Sequence, residues 1–442
     1  MQRILNKSGF IFETLENSGF ECYAVGGCVR DVLLNIQPND IDITTNATPD
    51  EILDCFKEYR TFELGKKFGT ISIMNEDDIF EITTYRIDGK YNDSRHPDKV
   101  EFSRNLKDDL ARRDFTVNAM AMDKNGNIVD LYNGKEDLNN QLIRAVGNAE
   151  ERFTEDALRI FRALRFSCKL GFKIEESTAL AAKKLSYTLK NVHPQRLRDE
   201  LSALLLTDSA SKIIEEYKEI FFTIIPELKI CHKSQQITAH HRFDVLTHIL
   251  KTLEFAPIDL EIRFALLFHD IAKPETHTFD KAGISHFNGH PARSADIATE
   301  ILKRFAFSSD FIKKVRLLIK YHDKRFEKPR LHIKRLLSEL TEEEFRKLLV
   351  IQRCDILAQS EYLREEKLSR IDLIESELNA VLEENSCFKL SDLAVNGKDM
   401  ISLGLKGKEI GDTLKTLLNM VIEEKIQNNR KDLLNYIVSI DK

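Results

Sequence analysis

The sequence predicts an α+β chain, a mixed α/β head followed by an all-helical body, on three observations. Short strand-like and helix-like segments alternate over residues 1–150. The strand signal stops near Glu151. Beyond it apolar residues recur at three and four positions, as in Ala157, Ile160, Phe161 and Leu164 and in Leu197, Leu201, Leu204 and Leu205, the stripe of a helix packed on one side. At 442 residues the chain is too long for one ordinary core. The expected division is a head over 1–150, a helical neck over 151–230, a helical domain over 231–335 and a charged helical tail over 336–442.

In the head, residues 21–25, 40–45, 61–64, 70–74 and 79–85 read as strands, and 11–17, 29–34 and 49–57 as helices. Residues 86–104 are polar and lack a period, which predicts a mobile loop. A loop that long inside a compact domain points to function. With 42% hydrophobic and 31% charged residues the chain is globular rather than disordered. No apolar run approaches the roughly 20 residues that span a bilayer, and the first residues lack the pattern of a secretion signal. Seven cysteines without a CxxC pair suggest reduced thiols, so a cytoplasmic location is expected. Cys28 reads as packing rather than as a nucleophile.

The chemistry begins at Gly26-Gly27-Cys28-Val29-Arg30-Asp31. Two glycines let backbone amides approach a phosphate, the following helix directs its positive end there, and Arg30 adds a charged fork. Ten residues on, Asp40 and Asp42 flank Ile41, and residues two apart in a strand share a face. Such a carboxylate pair suits Mg²⁺, a hard ion held by one or two carboxylates and by substrate phosphates. Together these features point to metal-dependent nucleotidyl transfer. Glu81, between Phe80 and Ile82, is a candidate third ligand, although a solvated Glu fits the pattern equally.

Arg112-Arg113-Asp114 precedes an apolar stretch and offers phosphate contacts or a surface ion-pair cluster. Glu155-Asp156-Ala157-Leu158-Arg159 continues to Arg162 and Arg165, and on one helix Asp156, Arg159 and Arg162 would be neighbours. A carboxylate accepts from the exocyclic amine of cytosine or adenine while a guanidinium donates to the adjacent ring nitrogen. One Asp/Arg pair can therefore admit CTP and ATP and reject GTP and UTP without a template. Ordinary salt bridging explains the same spacing.

Net charge is −6, yet ten Lys/Arg stand against Glu175 and Glu176 between Arg159 and Arg198. Ten more stand against Asp323 and Glu327 between Lys313 and Arg335. Basic stretches on an acidic chain suit a polyanion, and solvated helix faces are the plainer reading.

These motifs resemble the bacterial (class II) CCA tRNA nucleotidyltransferases of the polymerase β superfamily over about residues 20–335. The resemblance implies a polymerase β-like palm in the head and addition of CCA to the 3′ end of tRNA from CTP and ATP, with Mg²⁺ and release of pyrophosphate. By similarity Gly26, Gly27 and Arg30 match the phosphate motif and Asp40 and Asp42 the metal pair. Arg113, Asp156, Arg159, Arg162 and Arg165 match nucleotide-binding positions, and 86–104 the loop tied to adenosine addition. The chain departs where relatives often show Ser-x-Glu-Arg: it reads His193-Pro194-Gln195-Arg196. Bacterial poly(A) polymerases share the head, and CC-adding or A-adding specialists share nearly everything. The run from Leu64 to Thr70 sides with the tRNA-directed branch, and the loop argues against a CC-only enzyme.

A second constellation, His248, His269-Asp270 and His322-Asp323, with Lys273, His286 and His290 between and His240-His241 upstream, resembles an HD-type metal phosphohydrolase. It implies a second divalent metal on His248, His269, Asp270 and Asp323, with phosphomonoester or 2′,3′-cyclic phosphate hydrolysis. A helical subdomain used for packing or RNA contact explains it too. A phosphohydrolase with a vestigial head and a non-catalytic tRNA-binding scaffold are the competing classes.

Overall fold

The computed structural model describes residues 2–38, 40–76, 78–88, 100–240, 242–384 and 387–440. It divides into two compact units, Met1–Pro226 and Glu227–Lys442. That partition joins head with neck, and the helical domain with the tail.

The first unit is built on strands β1 (Cys22–Val25), β2 (Asp42–Thr45), β3 (Arg60–Phe62), β4 (Thr70–Asn75) and β5 (Asp78–Thr84). Next come β6 (Arg86–Asp88), β7 (Val100–Phe102), β8 (Met120–Met122) and β9 (Ile128–Asp130). Seven of them form one sheet in the order β3-β4-β5-β2-β1-β8-β9. Its β2–β5 pair is parallel, with Asp42 opposite Glu81, and its other pairs are antiparallel. The expected strands are present within one or two residues at most ends. β2, however, starts at Asp42, so Asp40 lies just before it. β8 and β9 escaped the sequence reading because three-residue strands carry too little alternation to register.

β6 and β7 pair antiparallel, Arg86 opposite Phe102, within the segment expected to be an unstructured loop. Its centre, 89–99, lies outside the described residues. Gly69, at φ +88°, sits beside this stem, where a Cβ would stand 2.9 Å from Phe102 Cε1.

Helices α1 (Gln2–Asn17), α2 (Gly27–Leu33), α3 (Pro49–Cys55), α4 (Leu106–Ala111) and α5 (Gly134–Asn139) belong to the head. α3 starts at a capping box in which Thr48 and Glu51 satisfy each other's backbone amides. The neck carries α6 (Ala149–Glu155), α7 (Leu158–Leu170), α8 (Glu176–Leu185), α9 (Pro194–Leu205), α10 (Ala210–Glu216) and α11 (Lys218–Ile224). Its apolar stripe is buried as expected: Ile160, Phe161, Leu164, Leu201, Leu204 and Leu205 are fully enclosed.

The second unit comprises α12 (Glu227–Cys231), α13 (Val245–Glu254), α14 (Leu260–Phe268), α15 (Lys273–Thr276), α16 (His290–Arg304) and α17 (Ser309–Tyr321). It continues with α18 (Pro329–Leu337), α19 (Glu342–Ala358), α20 (Arg364–Glu383), α21 (Gly397–Ser402), α22 (Lys408–Ile422) and α23 (Arg430–Ile440). α19 packs on α13, α14 and α17. The expected boundary at 335/336 therefore divides a continuous helical core. The last helices close a small core of their own around Leu393, Met400, Leu417 and Leu433.

Gly134 opens α5 against the arginine-motif segment, where an added Cβ would meet the Thr116 carbonyl oxygen and stand 2.8 Å from Met120 Cγ. Backbone cannot yield as a flexible side chain does. Gly134→Ala is expected to cost the first unit about 1–3 kcal/mol by overpacking, read as a lower denaturation midpoint in urea.

Candidate functional site

Gly26 closes the turn between β1 and α2 with φ +80°, a conformation that only glycine adopts without strain. A Cβ there would stand 2.9 Å from Arg113 Nη1 and 3.9 Å from Asp42 Oδ2. The hydrogen of Gly26 thus faces a cation and a carboxylate at once. Asp42 is exposed along one side and enclosed on the other. Burial raises its pKa, Arg113 opposes that rise and Asp40 adds to it, so all three charges share one neighbourhood. Glu81 is exposed beside Asp42 across the parallel pair, where laterally adjacent side chains share a face. Cys28 is buried, its Sγ 3.3 Å from the Val25 carbonyl oxygen, and burial pushes its thiol up to about 11. It is packing.

Arg113 owes its aim to Asp109, a residue the sequence reading passed over. The fully buried Asp109 carboxylate receives Arg112 Nε at 3.0 Å and Arg113 Nη2 at 3.1 Å. Burial alone would raise its pKa, but the two guanidiniums hold it below the ordinary range. The spacing of three and four residues between Asp109 and the two arginines was a legible helical signal.

Arg30 departs from its expected role. It is buried, with Nε and Nη2 on Asp31 Oδ1 at 2.9 and 2.7 Å and Nη1 on Asn118 Oδ1 at 2.5 Å. Its guanidinium braces α2 instead of standing open to a phosphate. The brace continues: Asn118 Nδ2 donates to Asp114 Oδ1 at 3.2 Å, and Arg162 Nε donates to Asp114 Oδ2 at 2.8 Å. Arg162 and Arg165 both reach Glu200 on α9, and the guanidiniums of Arg30, Arg162 and Arg165 lie 5.2, 5.3 and 4.2 Å from the Phe166 ring centre. Glu200 had no sequence signal, being 35 residues from Arg165.

Asp156 and Arg159 are not neighbours on one helix. The chain breaks between α6 and α7, and Asp156 sits in the break with extended backbone, its Oδ1 accepting from Leu158 N at 3.1 Å. Arg196 grips it with Nη1 3.2 Å from Oδ1 and Nη2 2.6 Å from Oδ2. Arg196, the residue of this segment that matches the Arg of the relatives' Ser-x-Glu-Arg, thus holds a candidate base-reading group. Arg159 donates to Glu155 Oε2 at 2.8 Å and to the Arg112 carbonyl at 2.9 Å.

In the second unit His248, His269, Asp270, His290 and His322 converge in a buried cluster. Asp323 is exposed and outside it, because the chain turns at the end of α17 and directs His322 inward. Its expected place is taken by Asp355 of α19, whose Oδ1 lies 2.9 Å from His248 Nε2. Asp270 and Asp355 push His269 up to about 10 against its burial. His286 pairs instead with Asp280 at 3.1 Å, and His240 lies exposed, 3.0 Å from Lys367 Nζ. His241 lies outside the described residues. Beside the cluster a cleft of about 430 Å³ is lined by Gln236, Thr238, Arg242 and Phe243. Gln236 Oε1 accepts from Lys273 Nζ at 2.9 Å, and Lys273 lies 2.6 Å from Asp270 Oδ2.

Residues 22–144 match the poly A polymerase head domain family, and 171–230 match the probable RNA and SrmB-binding site of polymerase A. Residues 292–437 match a putative domain 2 of tRNA nucleotidyltransferases. The CCA-adding enzyme of Staphylococcus saprophyticus is 33% identical over 97% of this chain and 96% of its own, and that of Lactobacillus helveticus 31% over 98% and 96%. The chain belongs to the CCA-adding enzymes. Two solved CCA-adding enzymes share the fold. That of Bacillus stearothermophilus, in complex with CTP, has a TM-score of 0.70 at 24% identity over 100% of this chain and 98% of that one. That of Thermotoga maritima, complexed with tRNA, has a TM-score of 0.59 at 20% identity over 100% and 96%.

In this CCA-adding enzyme the five arginines expected to bind nucleotide fall into three groups. Arg113 faces the glycine turn and Asp42, Arg30, Arg162 and Arg165 brace the floor beneath, and Arg159 is held by Glu155 and the Arg112 carbonyl. Asp114 is the hinge of that brace. Burial would raise its pKa, but Arg162 and Asn118 hold it below the ordinary carboxylate range. A depressed folded pKa contributes stability above the unfolded value of about 3.9, lost as pH falls through the folded one. Asp114→Asn is expected to cost about 3 kcal/mol at pH 7 by leaving Arg162 poorly paired. The variant should also lose less stability on acidification than the parent, measured by urea unfolding at pH 7 and below pH 4.

Proposed function

We propose that CCA addition to the tRNA 3′ end is carried out on the face of the head sheet where Gly26, Asp42, Glu81 and Arg113 meet. The observation that carries this reading is the Gly26 turn, open toward Arg113 Nη1 and Asp42 Oδ2. Asp40, Asp42 and Glu81 would hold Mg²⁺, an all-oxygen donor set that fits a hard cation. When bound, the ion supplies Lewis acidity toward the triphosphate and the attacking hydroxyl. The tRNA 3′-oxygen attacks the α-phosphorus of CTP or ATP, the α–β bridging bond breaks, and pyrophosphate leaves. Gly26 and Gly27 give the phosphates room, and Arg113, steadied by Asp109, meets their charge.

Asp156 and Arg159 read the base edge. Arg196 fixes the plane of the Asp156 carboxylate while the Arg112 carbonyl fixes Arg159. Both groups are thereby oriented before a nucleotide arrives. An exocyclic amine satisfies Asp156, and the oxygen of guanine or uracil at that position leaves it opposed to a second acceptor. The basic neck grips tRNA through backbone and shape, and the work is cytoplasmic.

The buried cluster around Asp270 favours a second activity in the same chain. Imidazoles with carboxylates suit a borderline divalent cation, and the cleft beside Lys273 admits a phosphate ester for hydrolysis.

Two experiments test these readings. Asp42→Ala should lower incorporation at every step by about a thousandfold, the scale of a lost charge-stabilising group, while tRNA binding holds. The substrates are tRNAs lacking CCA, CA or the final A, each with CTP, ATP or both. Parent protein that extends none of them overturns the first reading, and extension only of the last identifies an A-adding specialist. Asp270→Ala should abolish both the opening of 2′,3′-cyclic nucleoside phosphates to monophosphates and the release of phosphate from 3′-phosphorylated nucleosides. Full retention of that activity would sink the second.

A further inference from the structure

We infer that His240, Arg325, Arg364 and Lys367 form an anion subsite for a backbone phosphate of an RNA strand whose 3′-phosphorylated end enters the buried cluster. The inference rests on the hydrolytic reading above and names its substrate class, RNA ends in preference to free nucleotides. Lys367 Nζ donates to His240 Nδ1 at 3.0 Å and to Gln359 Oε1 at 2.8 Å. A ring nitrogen that accepts carries no proton, so His240 is neutral and its Nε2–H is left to donate elsewhere. Arg364 Nη2 donates to the Gln359 carbonyl at 3.0 Å, while its Nε is buried without a hydrogen bond. Arg325 is exposed, and its charge bears on both His240 and Lys367.

Among the described residues no carboxylate lies within ion-pair distance of Arg325, Arg364 or Lys367. Burial first, and then the neighbouring cations, hold His240 and Lys367 below their ordinary pKa values, although Asp355 pulls Lys367 the other way. Cations gathered without a counter-ion of their own are completed by an anion, and guanidiniums suit phosphate. Two features say whose phosphate it is. Gln359 joins the subsite to the cluster: its Nε2 donates to Asp355 Oδ2 at 3.0 Å, and Asp355 Oδ1 lies 2.9 Å from His248 Nε2. A strand with successive phosphates can reach both places, whereas a single phosphate reaches one. Tyr362 stands beside His240, ring centres 5.1 Å apart, and is half exposed. An exposed aromatic next to cations offers a face on which a base stacks, which inorganic phosphate cannot use.

The test compares two substrates on the full-length chain, adenosine 3′-phosphate and the 3′-phosphorylated dinucleotide ApAp, which adds one upstream phosphodiester and base. The KM for ApAp should be about tenfold lower, the scale of a hydrogen bond to a charged group. That advantage should shrink as salt is raised. Arg325→Ala, at an exposed position with no ion pair to lose, and Lys367→Met should each erase most of the advantage, while Lys367→Arg keeps it. Equal KM values in the parent, or a preference that neither variant moves, would overturn the subsite. Binding of fluorescein-labelled ApAp is then read by polarisation in an Asp156→Ala background, which disables the base-reading group of the head. If neither substrate is cleaved yet Arg325→Ala weakens binding about tenfold, the hydrolytic reading falls and the subsite stands as an RNA contact. Binding that Arg325→Ala and Lys367→Met leave unchanged overturns the subsite whatever the turnover.

Discussion

The pair made by buried Asp114 and half-buried Arg162 is the constraint on which the first unit depends. A carboxylate brought out of water must be satisfied from every side, and here both it and its guanidinium are held by further partners. Asp114 accepts from its neighbour's amide and from Asn118, Asn118 accepts from Arg30, and Arg162 reaches Glu200. One connected set of charges thus ties the helix after the glycine turn to two neck helices. The phosphate-facing turn and the base-reading residues are consequently set by the same network, with the Phe166 ring filling the space among three guanidiniums.

Much of the site was legible in the sequence because its signals are local. The Gly-Gly turn, the alternation of Asp40 to Ile43 and the Glu155–Arg165 spacing each lie within a dozen residues. What was not legible depends on contacts between distant segments. No pattern connects Asp156 with Arg196 or Arg165 with Glu200. Arg30 looked like a phosphate ligand because sequence gives charge without burial. Asp156 looked helical because the break between α6 and α7 contains neither Gly nor Pro.

The second unit repeats the lesson with one residue. Asp323 was the natural fourth ligand by proximity in sequence, yet it follows His322 directly and points to solvent. Asp355 comes from a helix that read only as charged tail. Gln352 of the same helix donates to the His322 carbonyl at 3.0 Å and the Lys324 carbonyl at 3.2 Å, pinning the turn that presents His322. α19 is therefore a wall of the cluster rather than an appendage.

Nδ1 of His269, His290 and His322 lies 2.7, 2.7 and 2.8 Å from the carbonyl oxygen three residues earlier, a lock with a consequence for engineering. Their aim is written into helix ends: His269 and His322 follow the last turns of α14 and α17, and His290 begins α16. The backbone lock fixes how each ring is turned, while Gln352 pins the turn that carries His322 and Gln236 reaches Asp270 through Lys273. With those two glutamines kept, Thr238, Arg242 and Phe243 of the adjacent cleft can be exchanged for the needs of another ligand while the donors stay in place.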